Sequence, residues 1–153
     1  MSKVSPCLWF DGVAEAAANF YVSLLPGSRI DQVFRSPVET PSGPAGGVLV
    51  VEFTLAGQGF MALNGGRHFT LSPAVSFKID CDDQAEVDRL WDALCADGGQ
   101  PGQCGWLIDR FGVSWQIIPK ALMELLSDAD RAPRVMAALM AMGKLDIATL
   151  KAA

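Results

Sequence analysis

Glu52 is the carboxylate most open to a chemical role. It stands in the run Val48-Leu-Val-Val-Glu-Phe-Thr-Leu55, where Leu49, Val51 and Phe53 take one face of a strand and Val50, Glu52 and Thr54 take the other. A carboxylate in an apolar cavity has its pKa raised, which suits a general base or an anchor for a cationic ligand. The plainer role is an ion pair with Lys78 or Arg110. Trp9, Trp106 and Gln116 offer aromatic walls and a hydrogen-bonding amide, the usual make-up of a small-molecule pocket. Asn64 either binds a ligand or shapes the turn before Gly65-Gly66. Cys104 has no His placed to serve as its base, and His68, the single histidine, lies in a Gly-rich connection where a solvated role is expected.

These residues need elements to hold them. The stretch Cys104-Gly-Trp-Leu-Ile-Asp-Arg-Phe-Gly-Val-Ser-Trp-Gln-Ile-Ile-Pro119 reads as a hairpin about the Gly-closed turn Asp109-Arg-Phe-Gly112. Alternation puts Trp115 and Ile117 on one face, and Ser114, Gln116 and Ile118 on the other. Upstream, Val4 to Phe10 reads as a strand with Leu8 and Phe10 inward and Cys7 and Trp9 opposite. Val13 to Leu25 reads as a helix stopped by Pro26-Gly27. Strands follow at Arg29 to Arg35, Val48 to Leu55 and Gly59 to Leu63. Between the first two lies Ser36 to Gly47, a loop rich in Pro and Gly and a possible lid.

The order then repeats. Ala74 to Ile79 is a strand, Gln84 to Ala96 a helix closed by Gly98-Gly99, and Gly102 to Leu107 and Val113 to Ile118 are later strands. Two βαβββ modules result, about 1–66 and 70–119, in a single α+β domain spanning 1–153. The extension 120–153 is helical over Ala121 to Leu126, Asp130 to Met142 and Asp146 to Ala152. Its methionines, Met123, Met136, Met140 and Met142, are expected in core packing.

Composition limits the function classes. The chain has 153 residues, half of them hydrophobic, and a net charge of -5, which disfavours a nucleic-acid partner. No run approaches the roughly 20 apolar residues of a membrane span, and the N-terminus lacks a signal-peptide pattern, so a cytoplasmic protein is expected. The four cysteines show no CxxC spacing and should be reduced.

Several motifs together carry a family resemblance. They are Pro6-Cys-Leu-Trp-Phe-Asp-Gly12 with Ala14-Glu15 and Phe20-Tyr21, Val51-Glu-Phe53, Phe60-Met-Ala-Leu-Asn-Gly-Gly66, Ala74-Val-Ser-Phe77, Gly102-Gln-Cys-Gly-Trp106 and Phe111-Gly-Val-Ser-Trp-Gln116, with Leu145-Asp-Ile147 in the tail. The chain resembles the vicinal oxygen chelate superfamily of glyoxalase I, extradiol dioxygenases and the bleomycin and fosfomycin resistance proteins. Within it, the PhnB-like branch, often labelled demethylubiquinone-methyltransferase-like, is the nearer match. The resemblance implies paired βαβββ modules in a curled mixed sheet, and a homodimer.

Metal-using members take His, Gln or Glu ligands from the first and last strands of each module, on the concave side. By that resemblance Gln116 stands where a Glu is common, and Ala62 is its counterpart, because Met61 and Leu63 parallel the core residues Trp115 and Ile117. Ala74 falls where a His is often found, and the first strand offers only Cys7 and Trp9. Three or four protein donors is the usual count for a divalent ion, so no metal and no cofactor is expected. The glycine pairs lack the strand-to-helix setting of an S-adenosylmethionine site, which argues against methyl transfer. The expected function is metal-independent binding of a small molecule by Cys7, Trp9, Glu52, Asn64, Trp106 and Gln116. The alternative is a lyase or dioxygenase of glyoxalase type with an atypical ligand set.

Overall fold

The computed structural model describes residues 2–153, and the chain divides between Leu71 and Ser72 into two compact units. In the first, β1 (Cys7–Phe10), α1 (Ala14–Leu24), β2 (Arg29–Arg35), β3 (Val48–Leu55) and β4 (Gln58–Asn64) follow the βαβββ order. The sheet order is β1-β4-β3-β2, with β1 parallel to β4 and the other pairs antiparallel. Tyr21 of α1 stacks on Phe53, and Phe53 on Phe60, so the helix and one sheet face share an aromatic core. Leu8, Phe10, Val51, Ala62 and Ala17 complete it, all buried.

The second unit repeats the order with β5 (Phe77–Cys81), α2 (Gln84–Cys95), β6 (Gln100–Pro101), β7 (Trp106–Ile108) and β8 (Ser114–Pro119). Its sheet order is β5-β8-β7-β6, again with one parallel pair. Asp83 caps α2, accepting from the Glu86 amide, and Glu86 returns the contact to the Asp82 amide. Val87, Leu90, Trp91 and Leu94 line the buried side of α2.

Three strands differ from the sequence reading, the first of them beginning at Cys7 and not at Val4. The strand expected from Ala74 begins only at Phe77, because Ser72 accepts from the Val75 amide and its hydroxyl from the Ala74 amide, closing a turn. The strand expected over Gly102 to Leu107 is broken. Gln103 O accepts from the Trp106 amide, and Cys104 and Gly105 have φ of +59° and +84°, a turn that no strand accommodates. The Ser36 to Gly47 loop is tied across its neck by Ser36 N to Gly47 O (2.9 Å) and Gly46 N to Ser36 O (2.7 Å).

The extension forms α3 (Ala121–Ser127), α4 (Ala132–Met140) and α5 (Ile147–Ala152). Leu122, Val135, Leu139, Leu145 and Leu150 gather around Ile118 of β8 in a separate small core. Of the methionines expected there, only Met142 packs against it, while Met123, Met136 and Met140 are exposed. The tail is held on this unit by polar clasps as well. Gln84 Nε2 donates to Leu145 O (3.0 Å) and to Asp88 Oδ1 (2.9 Å), Gln84 Oε1 accepts from the Ile147 amide (2.8 Å), and Lys144 pairs with Asp88 at 3.1 Å.

The clasp is sensitive to acid. The Gln84 hydrogen bond, followed by Lys144, holds the Asp88 carboxyl below its usual pKa, and the Thr149 amide does the same for Asp146. A folded-state pKa below the unfolded value contributes stability that is complete above about pH 3.9 and is lost as pH falls through the depressed value. The Cys104 and Gly105 amides, which donate to Met142 O and Gly143 O, should therefore lose hydrogen-exchange protection below about pH 4. Asp88→Asn should blunt that response. Equal protection of wild type at pH 6 and pH 3 would contradict the clasp.

Candidate functional site

The sheet face of the second unit opposite α2 gathers polar and aromatic side chains. Register pairs Gln116 with Trp106 on one side and with Lys78 on the other, so the three share that face. Gln116 Nε2 donates to Ser76 Oγ at 2.9 Å, which fixes the amide plane, and Gln116 Oε1 has no protein partner among the described residues. Trp106 is exposed, an uncommon position for so large an apolar ring. At one end of the face the tail helices cover Ile118, and at the other Ser114 is buried.

The backbone explains why Trp106 sits there. Gly105 brings the chain so close to β8 that an added Cβ would lie 2.9 Å from Ile117 O and 3.2 Å from Leu145 Cδ1. The Ile117 amide donates to Gly105 O, and the tail accepts from the two preceding amides. Asp109 supports the other end of the hairpin. Buried, its carboxylate accepts from the Phe111 amide (2.8 Å), the Val113 amide (3.0 Å) and Trp115 Nε1 (2.9 Å).

In the first unit, Cys7, Trp9, Met61, Leu63 and Glu52 lie on the face away from α1. Trp9 Nε1 donates to Gly66 O at 2.8 Å, and its ring meets Phe69 edge-on at 4.9 Å. A Cβ at Gly65 would lie 2.4 Å from that ring, so the glycine is what lets Trp9 lie flat against the chain. Asn64 is structural: its Oδ1 accepts from the Ala14 amide (2.9 Å) at the start of α1, and its Nδ2 donates to Val48 O (2.9 Å). Partial burial raises the Cys7 pKa, so the thiol stays protonated near neutrality. Cys81 is pushed up to about 12 by burial and the Glu86 charge.

Three expectations are corrected. Glu52 is exposed, flanked by Gln32 and Met61, which leave it open to solvent; it is not held in an apolar cavity. Its suggested ion-pair partners are engaged elsewhere, Lys78 with Asp80 at 2.9 Å and Arg110 with Asp97 at 3.1 Å. Ala62 is not the counterpart of Gln116. It faces α1, fully buried between Leu8 and Val51, because only a small side chain fits there, and Met61 takes the open face. Ala74 lies in the turn before β5 and not on a strand.

A divalent ion does not fit these donors. On the open face of the second unit Gln116 is bound to Ser76, and Asp80, the carboxylate of β5, is paired with Lys78. Among the described residues no three His, Cys, Asp or Glu side chains are grouped as a metal site requires.

The family model described as 3-demethylubiquinone-9 3-methyltransferase matches residues 2–118. The chain belongs to that family. The PhnB protein of Bacillus cereus, described as of the same type, is 35% identical over 77% of this chain and 99% of its own, with a TM-score of 0.70. A Pseudomonas aeruginosa protein is 21% identical over 78% and 98% of the two chains, with a TM-score of 0.64. A fold likeness extends to the fosfomycin resistance protein FosX of Listeria monocytogenes, 11% identical over 76% and 89%, with a TM-score of 0.51. The chain is therefore a PhnB-like member with the glyoxalase/bleomycin resistance fold. No curated protein matches it. The family match ends at residue 118, so the tail with Leu145-Asp-Ile147 lies beyond it.

The family description is a label and establishes no activity for this chain. Neither sheet is Rossmann-like, and none of the glycine pairs leads from a strand into a helix: Gly46-Gly47 precede β3, Gly65-Gly66 follow β4 into a loop, and Gly98-Gly99 follow α2. Among the described residues no helix is long and apolar enough to cross a membrane.

Proposed function

We propose that this PhnB-like protein binds a small molecule without a metal, using the Trp106 and Gln116 face of its second unit. The observation that carries the reading is the opposed pair itself. A large exposed indole stands beside an amide whose orientation is fixed by Ser76 and whose oxygen is left to accept a hydrogen bond. Planar ligands gain from stacking on Trp, and a fixed amide supplies orientation at little cost in rotamer entropy. Trp9 and Cys7 form a comparable aromatic surface in the first unit, with Cys7 as a neutral thiol.

A homodimer in the cytoplasm completes the reading. The edge strand β2 exposes Val33 and Phe34, which supports self-association, and the four free thiols suit a reducing compartment. Native mass spectrometry of the purified protein tests this function. Wild type should carry a sub-stoichiometric organic mass that Trp106→Ala lacks. A stoichiometric metal mass, or an organic mass equally retained by Trp106→Ala, would contradict it.

A further inference from the structure

Three side chains stand in one row across the open face of the second sheet. Lys78 of β5 pairs in register with Gln116 of β8, and Gln116 pairs with Trp106 of β7. Neighbouring strands lie about 4.8 Å apart, so the Lys78 and Trp106 backbones are separated by about 10 Å with the amide between them. Ser76, two residues before Lys78, joins the row on the same face, because its Oγ accepts from Gln116 Nε2 at 2.9 Å.

The row has spare hydrogen-bond donors at one end and an exposed apolar ring at the other. The Ser76 hydroxyl accepts from Gln116 and keeps its own proton to donate. The Lys78 ammonium has three N–H groups, and its bond to Asp80 Oδ1 at 2.9 Å uses one of them. The Lys78 side chain is 48% exposed, so Nζ can be reached from solvent with that bond in place. Asp80 itself stands one row further along, opposite Ile118, where the tail helices pack. The charge beside Gln116 is therefore positive.

We infer that this face selects an aromatic carboxylate, the ring against Trp106 and the acid group accepting from Lys78 Nζ and Ser76 Oγ. The inference rests on the binding function proposed above and adds the ligand class. Lys78 is the specificity-determining residue: it separates the acid from a neutral molecule of the same shape. The row also sets the ligand's length. Ring and carboxylate must span about one strand spacing, roughly 5 Å, which a short carbon linker between them supplies.

The probes are 3-phenylpropanoate, its neutral amide 3-phenylpropanamide and the cation 3-phenylpropylammonium. Each is titrated against the full-length protein and followed by the Trp106 indole N–H resonance. Wild type should bind the carboxylate roughly fivefold more tightly than the amide, the upper range for a solvent-exposed charge contact, and the cation most weakly. The preference should shrink at high salt. Lys78→Met, an exposed change of similar length, should bind carboxylate and amide equally, and Lys78→Arg should keep the preference. A carboxylate preference that survives in Lys78→Met would overturn the inference while the binding function stands, as would tightest binding of the cation. A wild type that binds none of the three also overturns the ligand class, and the native mass spectrum then decides the broader function independently.

Discussion

Asp109→Ala should lower stability by more than about 3 kcal/mol. The carboxylate holds the Phe111 and Val113 amides and Trp115 Nε1, and its removal leaves these donors without it inside the turn. Each buried donor left unpaired costs about 1–3 kcal/mol. A domain of this size has about 5–15 kcal/mol in total, so the hairpin carrying Ser114 and Gln116 would be near the edge of folding. Asp109→Asn should cost less, because its oxygen can still accept from the two amides while its NH2 group opposes the indole N–H. Urea midpoints, read by tryptophan fluorescence, rank the three proteins. A loss below about 0.5 kcal/mol for Asp109→Ala, the level of an ordinary surface change, would contradict this role.

Leu145→Ala should cost about 2–5 kcal/mol, the range for emptying a fully buried leucine site. The loss would not be confined to the tail. Leu145 lies in the small core around Ile118 and beside Gly105, and its carbonyl is held by Gln84. Loosening it should release the clasp on Cys104 and Gly105, and with it the strand that presents Trp106. The expected signature is a lower urea midpoint together with faster hydrogen exchange at the Cys104 and Gly105 amides. A lower midpoint with unchanged exchange there would separate the tail from the binding face. The tail lies beyond the family match.

Much of the architecture is legible in the residues. The strand, helix and three strands of each unit follow from alternation, from the helical spacing of Ala14, Ala17, Ala18 and Tyr21, and from the glycines that end the elements. Register in β4 is less legible. Phe60, Met61, Ala62 and Leu63 are all apolar, so no polar residue marks the open face. The choice falls to volume, since only Ala62 fits beneath α1 between Leu8 and Val51.

The face of Glu52 is also readable from alternation, but its burial is not. Whether a side chain on that face is covered depends on Gln32 and Met61, its cross-strand neighbours. The turn at Cys104 and Gly105 was hidden for a related reason. Its cause is the pair of tail carbonyls, Met142 and Gly143, nearly 40 residues downstream, which no local pattern encodes. Ser114 could be assigned to the Gln116 face by period alone, whereas its lack of a partner is a property of the packed unit.

The central claim is that Trp106 and Gln116 bind a small molecule without a metal. Its most direct test is native mass spectrometry of wild type, Trp106→Ala and Gln116→Ala, each purified with and without excess EDTA. The account predicts an organic mass on wild type that survives the chelator and that both variants lose. A mass that the chelator removes, or one that both variants retain, would contradict it.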